Sequence, residues 1–305
     1  MSRGYERSHL STEQAHLVRW VHRSALGVEF GGEQPTGKVE PSFRAFVSSV
    51  QLAWSLRETF WALVAKDFKA RYRAQSLGLF WSLAHPLVMM VTTTVAFEWV
   101  LRIQIPNFPV FYLIGAIFWQ LFSNVLTSTT SSMIDNGGLI KHTTFPRFLF
   151  PVSTVFSNLI PFAMELLLVF AFFPIFPNAY HFNESLLALP FMILLEVIIM
   201  MGLGLVTSAL NARYRDVLYL VTSVLTVGFW ATPILYSSTM APEWIRPFFR
   251  LNPMGFVIES ARDIIMNGRW PSASYTAAIA LEATLILFVG AAVFRRQGRK
   301  VADYV

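Results

Sequence analysis

Residues 103–134 read IQIPNFPVFYLIGAIFWQLFSNVLTSTTSSMI, and these 32 residues contain no formal charge. A helix needs about 20 mainly apolar residues to cross the hydrocarbon core of a bilayer, which is about 30 Å thick. Four more long apolar tracts follow this stretch along the chain. The tracts are continuous, whereas strands of a membrane barrel alternate apolar and polar residues over about 10 positions. The pattern therefore predicts an all-α membrane protein with several spans.

The composition agrees with burial in lipid and excludes some kinds of chemistry. Of the 305 residues, 54% are hydrophobic and only 14% are charged, against about 25% charged residues in soluble domains. The chain has no cysteine, which excludes disulfides, thiolate catalysis and cysteine-based metal sites. The formal net charge is +6, but the basic residues lie between the apolar tracts, as membrane topology requires. We therefore expect no nucleic-acid partner.

We predict six membrane spans with both chain ends on the same side of the membrane. From residue 66 onward, twelve Lys and Arg residues fall on that side and five on the other. Because cytoplasmic loops carry the excess of basic residues, this bias predicts cytoplasmic termini. The spans are expected at about residues 79–101, 110–135, 148–173, 186–210, 217–237 and 273–294.

Three segments outside the spans carry predictions. Residues 1–47 are polar and are interpreted as a cytoplasmic arm, ahead of a transmembrane domain at 48–305. Within that domain, 49–73 combines a helical apolar stripe with a basic end, which favours an amphipathic helix at the membrane interface over an ordinary core helix. The connection 238–272 is expected to form short helices at the outer interface. The basic end of the 49–73 helix contains Lys66, Lys69, Arg71 and Arg73.

No motif in the chain predicts catalysis, a metal site or a bound nucleotide. Residues 32–38 resemble a phosphate-binding loop, but Val39 stands where Ser or Thr would hold magnesium, and no apolar strand precedes the loop. A phosphate-binding loop needs that strand–loop–helix context. The histidines lack the spacing of metal ligands. The chain is therefore not expected to be an enzyme, and any ATP that it uses must be hydrolysed by another subunit.

Acidic residues and aromatic residues inside the spans leave alternatives open. Glu165, Glu196 and Glu282 lie within predicted spans, where a charged side chain costs free energy and is often functional. They could relay protons, or they could be protonated and hydrogen-bonded. The second and fifth spans are rich in aromatic residues, which either pack helices or offer flat faces to sugar rings passing through. The aromatic candidates for a translocation path are Phe118, Trp119, Phe122, Phe229, Trp230 and Tyr236.

Several motifs together resemble a known family of transporters. Residues 66–81 read KDFKARYRAQSLGLFW, and NGGLIKHTTFPR follows at 136–147. NARYRD at 211–216, FWATPILY at 229–236 and LNPM at 251–254 complete the set in order. From about residue 50 onward, the chain resembles the ABC-2 type permeases, and is most similar to exporters of O-antigen polysaccharide and teichoic acid of the Wzm and TarG type.

The resemblance implies a permease of the bacterial cytoplasmic (inner) membrane that forms a homodimer and binds a separate ATPase subunit. That partner would bind the ATP and magnesium, and the outer connection would carry gate helices. Arg71, Arg73 and Lys141 could make first contacts with the diphosphate of a lipid-linked polysaccharide or could simply orient the helices. The residues expected to couple the permease to the ATPase are Asn136, Gly138, Lys141, Phe145, Pro146, Arg147, Arg213 and Asp216.

The sequence thus predicts the permease subunit of an ATP-driven exporter of a lipid-linked cell-envelope polysaccharide, such as O-antigen, teichoic acid or a galactan-like polymer. One rival is an ABC-2 exporter of a small drug or lipid. Another is a proton-coupled secondary transporter that uses Glu196 and Glu282, although the sequence shows neither an inverted repeat nor an intramembrane cation. A membrane-embedded glycosyltransferase is a third, for which we find no paired Asp motif.

Overall fold

The architecture is entirely helical in the part of the chain that the structure describes. The structure is a computed structural model, and it describes residues 43–72, 80–103, 105–142, 146–244, 246, 249 and 251–297. The helices there, in chain order, are α1 (Phe43–Tyr72), α2 (Phe80–Thr94, continued by a π-helical turn Val95–Val100), α3 (Phe108–Asp135), α4 (Gly137–His142), α5 (Leu149–Ala171), α6 (Leu189–Asn211), α7 (Val217–Ala231), α8 (Pro253–Met266) and α9 (Ala273–Gln297). Short 3₁₀ turns lie at Pro177–Ala179, Glu184–Ala188 and Ser238–Met240. The all-α prediction is confirmed.

Five helical segments are long and apolar enough to cross a membrane. They are Ser82–Val100, Phe108–Asp135, Leu149–Ala171, Glu184–Asn211 and Ala273–Gln297. They correspond to five of the six predicted spans. The multi-pass character of the protein is therefore confirmed.

The predicted span at 217–237 is helical only in part, because its helix, α7, ends at Ala231. Its 15 residues reach about 22 Å at 1.5 Å per residue, short of the roughly 30 Å hydrocarbon core. Thr232 is extended, with φ −102° and ψ 139°. A residue before proline avoids the helical region because it would clash with the proline ring, and here Pro233 follows. The apolar run therefore continues beyond α7 without helical hydrogen bonds.

The central helix α3 organises the bundle and gives it two distinguishable ends. It packs against α2, α5, α6, α7 and α8. At the end where α4 lies, called the α4 end, a buried apolar cluster joins Leu63 of α1, Met133 of α3 and Phe294 of α9. At the opposite end, called the α8 end, Ser185 donates a hydrogen bond to the Ile264 carbonyl at 3.2 Å. The part of α1 around Leu63 and the last turn of α9 thus lie at the same end of the bundle.

The α6–α9 pair crosses closely at two glycines. A β-carbon on Gly202 would lie 2.7 Å from the backbone of Ile286, and one on Gly290 would overlap the Gly202 carbonyl oxygen. Small residues allow the backbones of membrane helices to approach each other closely and gain van der Waals contact. These glycines therefore allow the close approach of the α6 and α9 backbones.

Helix α1 begins earlier than predicted, because residues 43–47 of the predicted arm already form its first turns. The rest of the predicted arm, residues 1–42, lies outside the described residues. One face of α1 is buried through Leu63 and Val64 against α5, while Trp61 and Lys69 remain exposed. The interfacial position of α1 stays a prediction.

Candidate translocation surface and coupling region

A polar stripe runs along one face of α3. Between residues 120 and 135, every side chain that is at least partly exposed is polar, except that of Ile134. They recur at intervals of three or four residues, which places them on one side of a helix. From first to last they extend about 22 Å along the axis. The polar stripe consists of Gln120, Ser123, Asn124, Thr127, Ser128, Ser131 and Asp135.

The polar stripe borders a cavity of about 470 Å³ between α1, α2, α3, α5 and α7. Other lining groups are Arg71 and Tyr72 of α1, Ser82 of α2 and Glu165 of α5. Polar groups exposed on a membrane span face a water-filled space or another protein surface, because lipid cannot satisfy them. This face of the bundle is therefore suited to a hydrophilic path.

The cation predicted to meet a lipid diphosphate, Arg71, lies on the wall of this cavity. Its guanidinium donates hydrogen bonds to the side chains of Asn158 on α5 and Ser128 on α3, the latter at 3.3 Å. Asn158 in turn donates to the Thr154 carbonyl at 2.7 Å. Asn158 was not among the candidate residues selected from the sequence, although an amide inside an apolar span was a visible signal. Arg73, which was also predicted to contact the lipid diphosphate, lies outside the described residues.

Lys66 and Asp67 connect α1 to both helices that flank α4. The Lys66 ammonium donates to the Asn136 side-chain oxygen, and Thr154 of α5 donates to the Asp67 carboxylate at 3.0 Å. Burial raises the pKa of Asp67, while the nearby Lys66 charge, 3.6 Å away, opposes that shift. Because one turn of α1 contacts both neighbours, a displacement of α4 would also strain α1.

The predicted coupling segment is partly anchored and partly exposed. In α4, Leu139 and Ile140 are buried in the apolar cluster at the α4 end, while Lys141 is exposed. A β-carbon on Gly138 would meet nothing within 4 Å. Pro146 and Arg147 are half-buried, and Phe145 lies outside the described residues. The basic surface of α4 is thus free for contact, and its role in coupling stays a prediction.

The turn between α6 and α7 also lies at the α4 end and is held by a residue that the sequence analysis did not select. Asn211 donates to the Thr130 carbonyl of α3 at 3.0 Å and accepts from the Leu218 backbone N–H of α7 at 3.2 Å. The two predicted coupling residues of this turn, Arg213 and Asp216, are exposed. Asn211 therefore presents both of them on a turn that is fixed to α3.

The six aromatic candidates do not share one surface. Phe118 has no exposed area and packs edge-on against Phe162 at 5.3 Å between ring centroids. Phe118 therefore lies in the core and offers no face to a polymer in this conformation. Trp119 is also buried, and its ring lies 6.2 Å from that of Phe229. Phe122 is buried and Phe229 half-buried.

Trp230 differs from the other aromatic candidates because 64% of its surface is exposed. It lies at the end of α7, where Tyr236 donates its hydroxyl to the Trp230 carbonyl at 2.8 Å. Tyr236 itself is half-buried. Trp230 is thus the candidate with the largest ring surface available to a passing chain.

The three intramembrane acids occupy separate environments. Glu165 lines the 470 Å³ cavity. Glu196 is fully buried on α6, and neither carboxyl oxygen has a hydrogen-bond partner among the described residues. Glu282 is half-buried on α9. Only Glu165 is therefore placed to meet a solute in the cavity beside the polar stripe.

Arg262 of α8 closes the α8 end of the bundle. It is 4% exposed, and its guanidinium donates to the carbonyl oxygens of Phe111 at 3.0 Å, Pro233 at 2.6 Å and Ile234 at 2.7 Å. Burial lowers the pKa of Arg262 to about 9, and Glu259 opposes the shift, so the group stays charged at neutral pH. Arg262 was not among the candidate residues selected from the sequence. Its carbonyl partners include those freed where α7 ends.

These features define a multi-pass helical membrane protein with a hydrophilic face and a compact basic segment at one end, the architecture of a transport permease. The sequence profile of the ABC-2 type transporter family matches residues 58–266. The chain belongs to this family, which confirms the predicted resemblance.

Relatives of known function are similar over most of their length. The O-antigen export system permease protein RfbA of Klebsiella pneumoniae is 32% identical over 263 residues, which cover 84% of this chain and 99% of that protein. RfbA of Myxococcus xanthus is 30% identical over 246 residues, covering 80% and 94%. The polysialic acid transport protein KpsM of Escherichia coli is 22% identical over 241 residues, covering 77% and 91%.

Proposed function

We propose that this chain is the transmembrane permease subunit of an ATP-driven exporter that moves a lipid-linked cell-envelope polysaccharide across the cytoplasmic membrane. Family membership and relatives named as O-antigen export permeases support the class of transporter. The structural observation that carries the proposal is the polar stripe of α3, which adjoins the Arg71 cavity.

The chemistry of the polar stripe fits a sugar polymer better than an apolar drug or lipid. From Gln120 to Ser131 the exposed groups are hydroxyls and amides without formal charge, and Asp135 follows at the α4 end. Such groups can both donate and accept hydrogen bonds, as sugar hydroxyls do. Each is worth only about 0.5–1.5 kcal/mol net, so a polymer can exchange one for the next without being trapped. An apolar cargo would offer no partner to the side-chain amides of Gln120 and Asn124, which bond to no other described residue, whereas the hydroxyls of Ser128 and Ser131 already donate within α3.

We infer that ATP hydrolysis takes place in a separate subunit that docks at the α4 end. A short segment joined to two spans can transmit the motion of a docked partner as a lever. Lys66 and Asp67 extend that lever to α1, because they contact the helices on either side of α4. The ATP and magnesium would bind to the partner, and Arg213 and Asp216 would join Lys141 and Arg147 in the contact.

The proposed topology places the α4 end in the cytoplasm, with both termini on that side. α7 and the non-helical residues 232–236 together make the sixth crossing, and α1 lies in the interface with Trp61 and Lys69 toward lipid. Two copies of the chain would face each other across their polar stripes, since this face is open in the single chain. The arm before α1 is proposed to stay cytoplasmic.

A proton-coupled transporter is less well supported, because Glu196 is enclosed and Glu282 is only half-buried on another helix. Transport without an ATPase would favour that alternative. ATP hydrolysis by the purified chain alone would contradict the proposal that a separate subunit hydrolyses ATP.

The test compares surface polysaccharide in a deletion strain complemented with the wild-type gene or with Asn124→Leu and Ser131→Leu. Both leucines put an apolar side chain on the polar stripe, so we expect lower export per assembled permease–ATPase complex. Thr284→Leu is the matched control, because Thr284 is exposed on α9 and bonds only within its own helix. Normal export by both stripe variants would show that the polymer does not pass along this face.

A further inference from the structure

A second cavity, of about 710 Å³, lies at the α8 end and has no part in the mechanism above. Its walls come from the segment before α3, the turn after α5, residues 237–240, α8 and the segment after α8. Sites for small molecules are commonly clefts of about 300–1,000 Å³. The volume is thus sufficient for a small group of sugar rings.

The walls of this outer cavity carry polar groups that have no protein partner in the described part of the chain. The side chains of Asn107, Asn178 and Arg269 line it without a hydrogen bond to other described residues. Two carboxylates one helical turn apart also line it: Glu259 accepts from the Ser238 backbone N–H at 3.1 Å, and Asp263 accepts from Asn267 at 2.8 Å. The cavity thus offers free amide and guanidinium donors beside carboxylate acceptors.

The charges of the outer cavity balance. Glu259 and Asp263 line it together with Arg262 and Arg269, so with His181 counted as neutral the lining has no net formal charge. Such a lining does not select an isolated anion such as phosphate or an isolated metal cation. It suits a neutral, hydroxyl-rich ligand that both donates and accepts hydrogen bonds.

One wall of the outer cavity is rigid. Each of the three guanidinium nitrogens of Arg262 donates to a backbone carbonyl, and the guanidinium lies over the Phe111 ring, 3.5 Å from the centroid. A ligand would therefore meet a preorganised wall and would lose little free energy in ordering it. The exposed amides opposite that wall supply the adaptable contacts.

We propose that the outer cavity is a saccharide-binding subsite that holds sugar units of the polymer as they leave the membrane. The inference rests on the proposed function, because it takes the α8 end to be the exit side. It adds a binding site at that end, separate from the polar stripe of α3.

The experiment measures binding to the permease–ATPase complex in lipid nanodiscs by saturation-transfer NMR and calorimetry. The probe is the polysaccharide released from the host's own envelope by mild acid. We expect the wild-type complex to bind it and the Asn178→Ala, Arg269→Ala double variant to bind it about tenfold more weakly, as loss of two hydrogen bonds predicts. Both side chains are exposed, so the double variant should fold normally. Glu184→Ala is the control, because Glu184 is exposed at the same end and lies outside the cavity.

Equal affinity of the double variant and the wild type would overturn the subsite, as would failure of the wild type to bind. Displacement of the probe by inorganic phosphate would overturn the choice of a neutral ligand. Export in the deletion strain is scored separately. Normal export with no binding at the outer cavity would remove this inference alone, whereas surface polysaccharide that persists without the gene would remove the proposed function as well.

Discussion

The guanidinium of Arg262 donates a hydrogen bond to the carbonyl oxygen of Ile234 at 2.7 Å, at the place where α7 has given way to extended chain. The adjacent Pro233 carbonyl accepts a second bond from the same side chain. Backbone carbonyls that leave a helix inside a membrane protein need other partners, because lipid supplies none. One buried arginine therefore satisfies the carbonyls freed at the end of α7 and links this end to α3 through the Phe111 carbonyl.

Arg262→Met should destabilise the bundle strongly. Three carbonyls would lose their donor, and an unsatisfied buried group costs about 1–3 kcal/mol, so we expect a loss of at least about 3 kcal/mol. Thermal unfolding in detergent, followed by tryptophan fluorescence, measures the change. Arg296→Met is the control, since Arg296 is exposed near the end of α9. An unchanged Tm for Arg262→Met would mean that these carbonyls find other donors.

Gly290→Ala should separate α9 from α6. The added methyl would overlap the Gly202 carbonyl oxygen, and forcing extra volume into a packed contact typically costs about 1–3 kcal/mol. The matched control is Gly138→Ala, because a β-carbon there meets nothing within 4 Å. In the same unfolding assay, we expect a lower Tm for Gly290→Ala only. Equal Tm values for the two variants would contradict the close crossing.

Trp119→Ala and Trp230→Ala should have different effects, although both tryptophans stand in aromatic-rich spans. Trp119 is buried among Phe122 and Phe229, so its truncation should cost about 3–5 kcal/mol of stability. Trp230 is exposed, and its truncation should leave the yield of folded complex intact while lowering export per complex. Surface polysaccharide is measured against the amount of ATPase-bound permease. If Trp230→Ala exports normally, its ring faces lipid or a structural contact.

Asp67→Asn should make the α4 end at least as stable as in the wild type at neutral pH. Burial raises the pKa of Asp67, so the folded protein binds the proton more tightly than the unfolded chain does. The stability that this proton contributes is complete below the ordinary value of 3.8 and is lost as the pH rises through the raised value. The asparagine keeps an acceptor for Thr154 and carries no charge.

Unfolding of Asp67→Asn and wild type is therefore compared from pH 7 down to about pH 4, where carboxylates begin to protonate. The advantage of the asparagine variant should shrink as the pH falls. Asp216→Asn is the control, because Asp216 is exposed. A variant that is less stable than the wild type at pH 7 would mean that the ion pair with Lys66 outweighs the cost of burial.

The sequence was a good guide where one local property decides the outcome. Continuous apolar length is enough to predict a spanning helix, because the bilayer sets the length and leaves few backbone structures possible. The same rule overestimated the length of the helix in the 217–237 span, because the apolar run continues past Ala231 while the backbone does not stay helical. Pro233 indicated in the sequence that the helix would end before it. The donor that satisfies the freed carbonyls is Arg262, which lies about 30 residues further along the chain and could not be identified from the local sequence.

The class of protein, five of its spans and its family motifs were thus determined by the sequence itself, because hydrophobic length and short ordered motifs are local. Tertiary structure decided which side chains are exposed. Seven polar residues of α3 became one open stripe because the neighbouring helices cover its other faces. Packing also buried Trp119 and exposed Trp230. Exposure depends on contacts between residues distant in the chain, and a single sequence does not contain them.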